Sequence, residues 1–175
     1  EKFKLANAKK KDSQVICIVG NKGYGQFIEQ HVDRKILNTK AGLIRRYPDG
    51  QVMADHPGIH LFTYGQSKGL GMDHHEKLFV IKIDADTNTV WVGDEKDLFK
   101  NEVEVVDTHL LSQIEDGETL NVKIRYAHKG SLAKVFKTDK GLRFEFSEPQ
   151  RAITPGQAAV IYREKQLLGG GWITL

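Results

Sequence analysis

"TLNVKIRYA", residues 119–127, alternates apolar and polar side chains. Leu120, Val122, Ile124 and Tyr126 fall on one face, and Asn121, Lys123 and Arg125 on the other. A period of two is what a strand needs when one face rests on a core and the other meets water. The same pattern continues downstream. "LAKVFK" (132–137), the turn "TDKG" and "LRFEF" (142–146) form one hairpin, and "AAVIY" (158–162), "REKQ" and "LLGGGWI" (167–173) form another. Upstream, "LFVIKI" (78–83), "DADTNT" and "VWVGD" (90–94) read as a third, "GIHLFTYG" (58–65) reads as a strand, and "YPDGQ" (47–51) has Pro-Asp-Gly turn chemistry. Strands at this short, regular spacing predict a mainly β protein, a barrel or a sandwich.

Towards the N-terminus the pattern changes. "VICIV" (15–19) is a β-branched run that reads as a short buried strand, and the polar "KKKDSQ" (9–14) before it as a loop. Gly20, Gly23 and Gly25 follow. In "GQFIEQHV" (25–32), Phe27, Ile28, His31 and Val32 share one helical face, which predicts a short helix. The polar stretch "DEKDLFK" (94–100) is the expected boundary between two β-rich units.

Charge is unevenly spread. The net charge is +3, but residues 1–50 carry eleven Lys/Arg against five Asp/Glu, residues 51–120 five against fourteen, and residues 121–151 eight against three. Basic blocks flanking an acidic one suit a polyanionic partner, although solvated faces on an ordinary protein give the same count. No apolar run approaches the roughly 20 residues of a membrane span, and there is no secretory leader pattern. With a single cysteine, no internal disulfide can form, which fits a reducing, cytoplasmic setting.

Each candidate site has two readings. Cys17 is either a small apolar core residue or a thiol activated by Lys22, Lys9–Lys11 and a nearby helix start. "GQSKGLGM" (65–72) lacks P-loop spacing; its glycines either permit positive φ or form an amide nest for a phosphate. "DHHE" (73–76) has metal-ligand residue types, but adjacent histidines on a strand point to opposite faces, so no metal is expected. Arg125 and Tyr126 either clamp a phosphate and stack on a base, or are an exposed Arg and a core Tyr. Gln157, after the Thr-Pro-Gly turn, is a hydrogen-bonding candidate.

Taken in order, "KKDSQVICIVG", "HPGIHLFTYGQSKGLGM", "KIRYAHKG" and "SEPQRAITPGQAAVIYREKQLLGGGWI" resemble the C-terminal half of the tRNA-specific 2-thiouridylases, from about Lys9 to Leu175. The resemblance implies three parts. Residues 1–30 would be a linker carrying a catalytic cysteine and the short helix, residues 31–98 a small central β domain, and residues 99–175 a tRNA-contacting β-barrel similar to the second domain of translation elongation factors. An N-terminal PP-loop domain, with its ATP and Mg, would lie outside this chain, since no S-G-G-x-D-S occurs here; no cofactor is expected within the chain itself.

In this reading Cys17 receives sulfur from a donor protein as a persulfide and delivers it to the activated wobble uridine, while a second cysteine in the other domain releases it. Arg125, Tyr126 and Gln157 stand at positions that contact tRNA in the family. Three departures stand out: Val15 replaces an Asp, Ile18 a Phe, and Ser67 an Arg. The family's frequent "methyltransferase" label finds no methyl-donor site in these residues. The alternatives are a non-catalytic RNA-binding β module with Cys17 simply buried, and a barrel that docks on protein rather than RNA.

Overall fold

The computed structural model describes residues 24–33, 40–72 and 76–174. It is mainly β, with a four-stranded sheet, a closed six-stranded barrel and, among the described residues, one short α-helix. The helix, α1 (Tyr24–His31), falls where the apolar spacing predicts it. The strand expected at 15–19 lies outside the described residues.

The sheet is built from β1 (Gly42–Arg46), β2 (Val52–His56), β3 (Phe79–Asp84) and β4 (Thr89–Gly93), in the order β2-β1-β4-β3. β1 pairs antiparallel with β2 and parallel with β4, and β3–β4 is the expected hairpin. Ile44, Val80, Val90 and Val92 are fully buried, with Phe62, Leu70 and Leu78 packed among them. Removing such side chains from water is the main force holding the sheet, roughly 1.5–3 kcal/mol for each.

"GIHLFTYG" departs from expectation. Residues Ile59–Leu61 form a single 3-10 turn rather than a strand. Two backbone bonds are local, Leu61 N–H to Gly58 O and Phe62 N–H to Ile59 O, and the stretch meets β3 only at its end, where Gly65 N–H donates to Val80 O and Val80 N–H to Gln66 O. The apolar content serves packing instead: Phe62 enters the core, and Leu61 lies so close to Gly25 of α1 that a β-carbon there would collide with it.

The barrel comprises β5 (Phe99–Leu110), β6 (Glu118–Lys123), β7 (Ser131–Thr138), β8 (Gly141–Arg151), β9 (Ala158–Arg163) and β10 (Gln166–Thr174), closed in the order β10-β5-β8-β7-β6-β9. All of its pairs are antiparallel. Alternation decides the interior: Val103 and Val105 of β5, Leu120 and Val122 of β6, Ala133 and Val135 of β7, Phe144 and Phe146 of β8, Ile161 of β9 and Leu168 of β10 all point inward. Phe144 and Phe146 meet edge to face, with ring centres 6.5 Å apart. Closure leaves no unpaired edge.

The polar stretch 94–100 is a 3-10 turn, Glu95–Leu98, running directly into β5. Asp97 accepts the Asp94 N–H at 2.9 Å, and Asp94 takes Arg46 Nη2 at 2.6 Å. Here sheet and barrel touch. Phe79, Ile81 and Leu98 form a small apolar cluster against Ala152, whose N–H donates to Leu98 O at 2.9 Å. Arg151 spans the joint, its guanidinium 5.5 Å from the Phe79 ring centre and 3.4 Å from Glu95.

Candidate nucleic-acid interface

β6 ends at Lys123, and the next residue, Ile124, is still buried in the core. The chain then turns, closed by His128 N–H to Arg125 O at 3.1 Å, so Tyr126 leaves the core face that alternation would give it. It stands 73% exposed, which excludes the reading of a core tyrosine. The Arg125 guanidinium is partly anchored, donating from Nη1 to Arg151 O at 3.0 Å, with its remaining donors on the exposed side.

His128 holds this turn from below. Its Nδ1 accepts the Ile124 N–H at 3.4 Å, while Nε2 lies 3.3 Å from Ser131 Oγ. Ser131 Oγ donates in turn to Gln150 Oε1 at 3.3 Å. These roles assign the neutral tautomer with its proton on Nε2. Burial first, then the Arg125 charge, pushes the His128 pKa below the ordinary 6.5, against an opposing hydrogen bond through Gln150. Near neutral pH the local positive charge therefore belongs to Lys123 and Arg125.

Thirty residues on, the Thr154–Gln157 turn brings Gln157 to the same place. Its N–H reaches Thr154 O at 3.3 Å, and its carbonyl accepts the Ile173 N–H at 2.9 Å. Arg125, Tyr126 and Gln157 thus line one open cleft of about 450 Å3, together with Lys123, Ala158, Val160 and Tyr162. Lys123 Nζ lies 5.7 Å from the Tyr162 ring centre, a cation–π spacing. Lys123 was readable beforehand as the outward neighbour of Arg125. Tyr162 sits on an outward position of "AAVIY" but belongs to the cleft only through the β6–β9 pairing, which sequence does not display.

Other candidates fall elsewhere. Cys17 lies outside the described residues, and so do residues 73–75 of "DHHE"; Glu76 pairs with Arg46 at 3.1 Å. No group of three or more metal-ligating residues occurs among the described residues. In the 65–72 loop, the Gln66 side chain accepts the Thr63 N–H and donates to Lys68 O, both at 2.9 Å, while Leu70 is buried in the sheet core. Gly69 takes φ +67° with open space about it. This is a turn stapled by its own glutamine, and the positive-φ reading accounts for the glycine. Ser67 is half-buried within it. Among the described residues no helix is long and apolar enough to cross a membrane.

The described residues thus make a mainly β protein, a closed antiparallel barrel beside a four-stranded sheet, with a cleft on the barrel that carries two cations and two tyrosines. Comparison with known proteins narrows this. Residues 26–94 match the tRNA methyl transferase PRC-barrel domain and residues 85–173 the aminomethyltransferase β-barrel domain. The chain is 36% identical to the tRNA-specific 2-thiouridylase MnmA of Aquifex aeolicus, over 99% of its own length and 47% of the relative's. It is 38% identical to the Acidithiobacillus ferrooxidans enzyme (98% and 49%) and 39% to that of Deinococcus radiodurans (97% and 44%). The chain belongs to the tRNA-specific 2-thiouridylase family and matches the C-terminal part of its members. It spans about half the length of the curated relatives it matches.

Proposed function

We propose that this chain grips tRNA on the barrel through Lys123, Arg125, Tyr126 and Gln157, and that Cys17 carries sulfur to a wobble uridine. The observation that carries the reading is the meeting of Arg125–Tyr126 and Gln157 in one cleft, in a chain alike over nearly its whole length to proteins named tRNA-specific 2-thiouridylases. The cations neutralise phosphates, Tyr126 offers a ring for stacking, and Gln157 offers both a donor and an acceptor.

The sulfur step balances as follows. A donor protein leaves Cys17 as a persulfide. Its terminal sulfur attacks C2 of a uridine whose O2 has been activated at the expense of ATP in another part of the protein. A C–S bond forms and the activating group leaves with the oxygen. A second thiolate then attacks Cys17 Sγ, the S–S bond breaks, the thiocarbonyl forms on the base, and the two cysteines end as a disulfide that a cellular thiol reduces.

The test uses the intact protein with ATP, a persulfide donor and tRNA. Cys17→Ser is expected to abolish 2-thiouridine formation while tRNA affinity stays within about two-fold, since Lys123, Arg125, Tyr126 and Gln157 are unaltered. Normal thiolation by that variant would leave only an RNA-binding module.

A further inference from the structure

Beside the cleft lies a second depression, which Trp172 lines. Trp172 stands on β10 between Val106 of β5 and Ala158 of β9, and is 52% exposed. An indole left half in water is informative, because so much apolar surface is normally covered. It lines a trough of about 330 Å3 with Asp107, His109, Leu111 and Leu167, and the side-chain-free run Gly169–Gly171 belongs to the same lining.

The trough is continuous with the cleft. Ala158 and Val160 line both. Register explains why: Lys123 on β6 faces Val160 on β9, which faces Gly170 on β10, which faces His109 on β5. Adjacent strands are about 4.8 Å apart, so Lys123 and Gly170 are separated by about 10 Å. Trp172 itself pairs with Ala158, the residue directly after Gln157.

We infer that Trp172 is a stacking platform for an unpaired base of the same RNA held by the Arg125–Tyr126–Gln157 cleft, an inference that rests on the tRNA reading above. Two observations favour a base over an apolar protein segment. The open end of the trough leads to Lys123 and Arg125, which suit the phosphates on either side of a splayed nucleotide. Gly169–Gly171 bring no side chains into the lining beside Trp172, which leaves room for a flat ring. Every base has a π-face, so an aromatic beside a cationic groove holds single-stranded nucleotides without reading their sequence.

The test is fluorescence titration of this chain with unfractionated tRNA at fixed salt. Binding is expected to quench Trp172 emission, identified as the component that Trp172→Phe removes while Trp91 remains. Trp172→Phe keeps a ring and is expected to bind within about three-fold of the unaltered chain. Trp172→Leu keeps apolar bulk without a ring and is expected to bind about 5- to 100-fold more weakly, the usual cost of one lost base stack. If Trp172→Leu binds tRNA normally while Arg125→Ala does not, the stacking inference falls and the tRNA reading stands. If neither weakens binding, both fall. Equal weakening by the Phe and Leu variants overturns stacking in favour of a shape-dependent apolar contact. Should Trp172→Leu lose its β signal in circular dichroism, quenching decides alone, and its absence from the unaltered chain overturns the inference.

Discussion

The N–H of Ile173 donates to the carbonyl of Gln157 at 2.9 Å, and the carbonyl of Ile173 accepts the N–H of Gly156 at the same distance. This pair of bonds sews the Thr154–Gln157 turn onto the last strand of the barrel. Gly156 takes φ +79° with nothing near the position of a β-carbon. Gly156→Ala therefore meets no clash and feels only backbone strain, about 1–2 kcal/mol. The expected result is a lower urea midpoint, with tRNA affinity reduced through displacement of Gln157. An unchanged midpoint would show that the turn relaxes without strain.

Arg125 shares one donor with Arg151 and presents the others outward. Arg125→Ala is expected to weaken tRNA binding at all salt concentrations and to reduce the slope of log K against log salt by about one. Filter binding between about 50 and 200 mM salt checks it. A slope identical to that of the unaltered chain would mean that this guanidinium meets no phosphate.

His56 is buried in the sheet and lies 3.2 Å from the Asn88 carbonyl, with which Nε2 bonds. Burial lowers its pKa below 6.5, opposed by that bond and by Asp55. His128 shifts the same way. For a histidine with a depressed folded pKa, the unfolded chain takes up its proton first as pH falls. Stability is thus full above about 6.5 and declines below it. Urea midpoints are expected to be level from about pH 7 to 8 and to fall by about pH 5. His56→Gln, which keeps a donor for Asn88 O, is expected to flatten that fall. A pH dependence unchanged by the substitution would clear His56 of the effect.

Phe144 is fully buried at the centre of the barrel, whereas Leu132 on neighbouring β7 is 56% exposed. Phe144→Ala is expected to cost about 3–5 kcal/mol of stability. Leu132→Ala should change it by no more than about 0.5 kcal/mol, the range of ordinary surface sites. Denaturant unfolding of the two variants measures the contrast. Comparable losses would mean that the outer face of β7 is covered by something further.

Much of this protein is local and was legible as such. Period-two alternation around Leu120, Val122 and Ile124, the hairpin turns, and the apolar spacing of α1 each depend on residues a few positions apart, where strand and helix geometry act directly. β5 carries the same alternation at Val103 and Val105, but the polar residues before it read as a boundary. The 58–65 stretch has the β-branched and aromatic residues that suit a strand, but it meets β3 only at Gly65, and Ile59–Leu61 close a 3-10 turn instead. Resemblance to a family picked out Arg125, Tyr126 and Gln157, yet their grouping is tertiary. It depends on barrel closure, which sets β6 against β9 in pairs such as Asn121 with Tyr162 and Lys123 with Val160, far apart in the chain and encoded by no local pattern. Tyr162 and Trp172 gained their positions in the same way. Alternation tells a side chain which face of its strand it occupies, and only the completed ring of strands tells it which neighbours share that face.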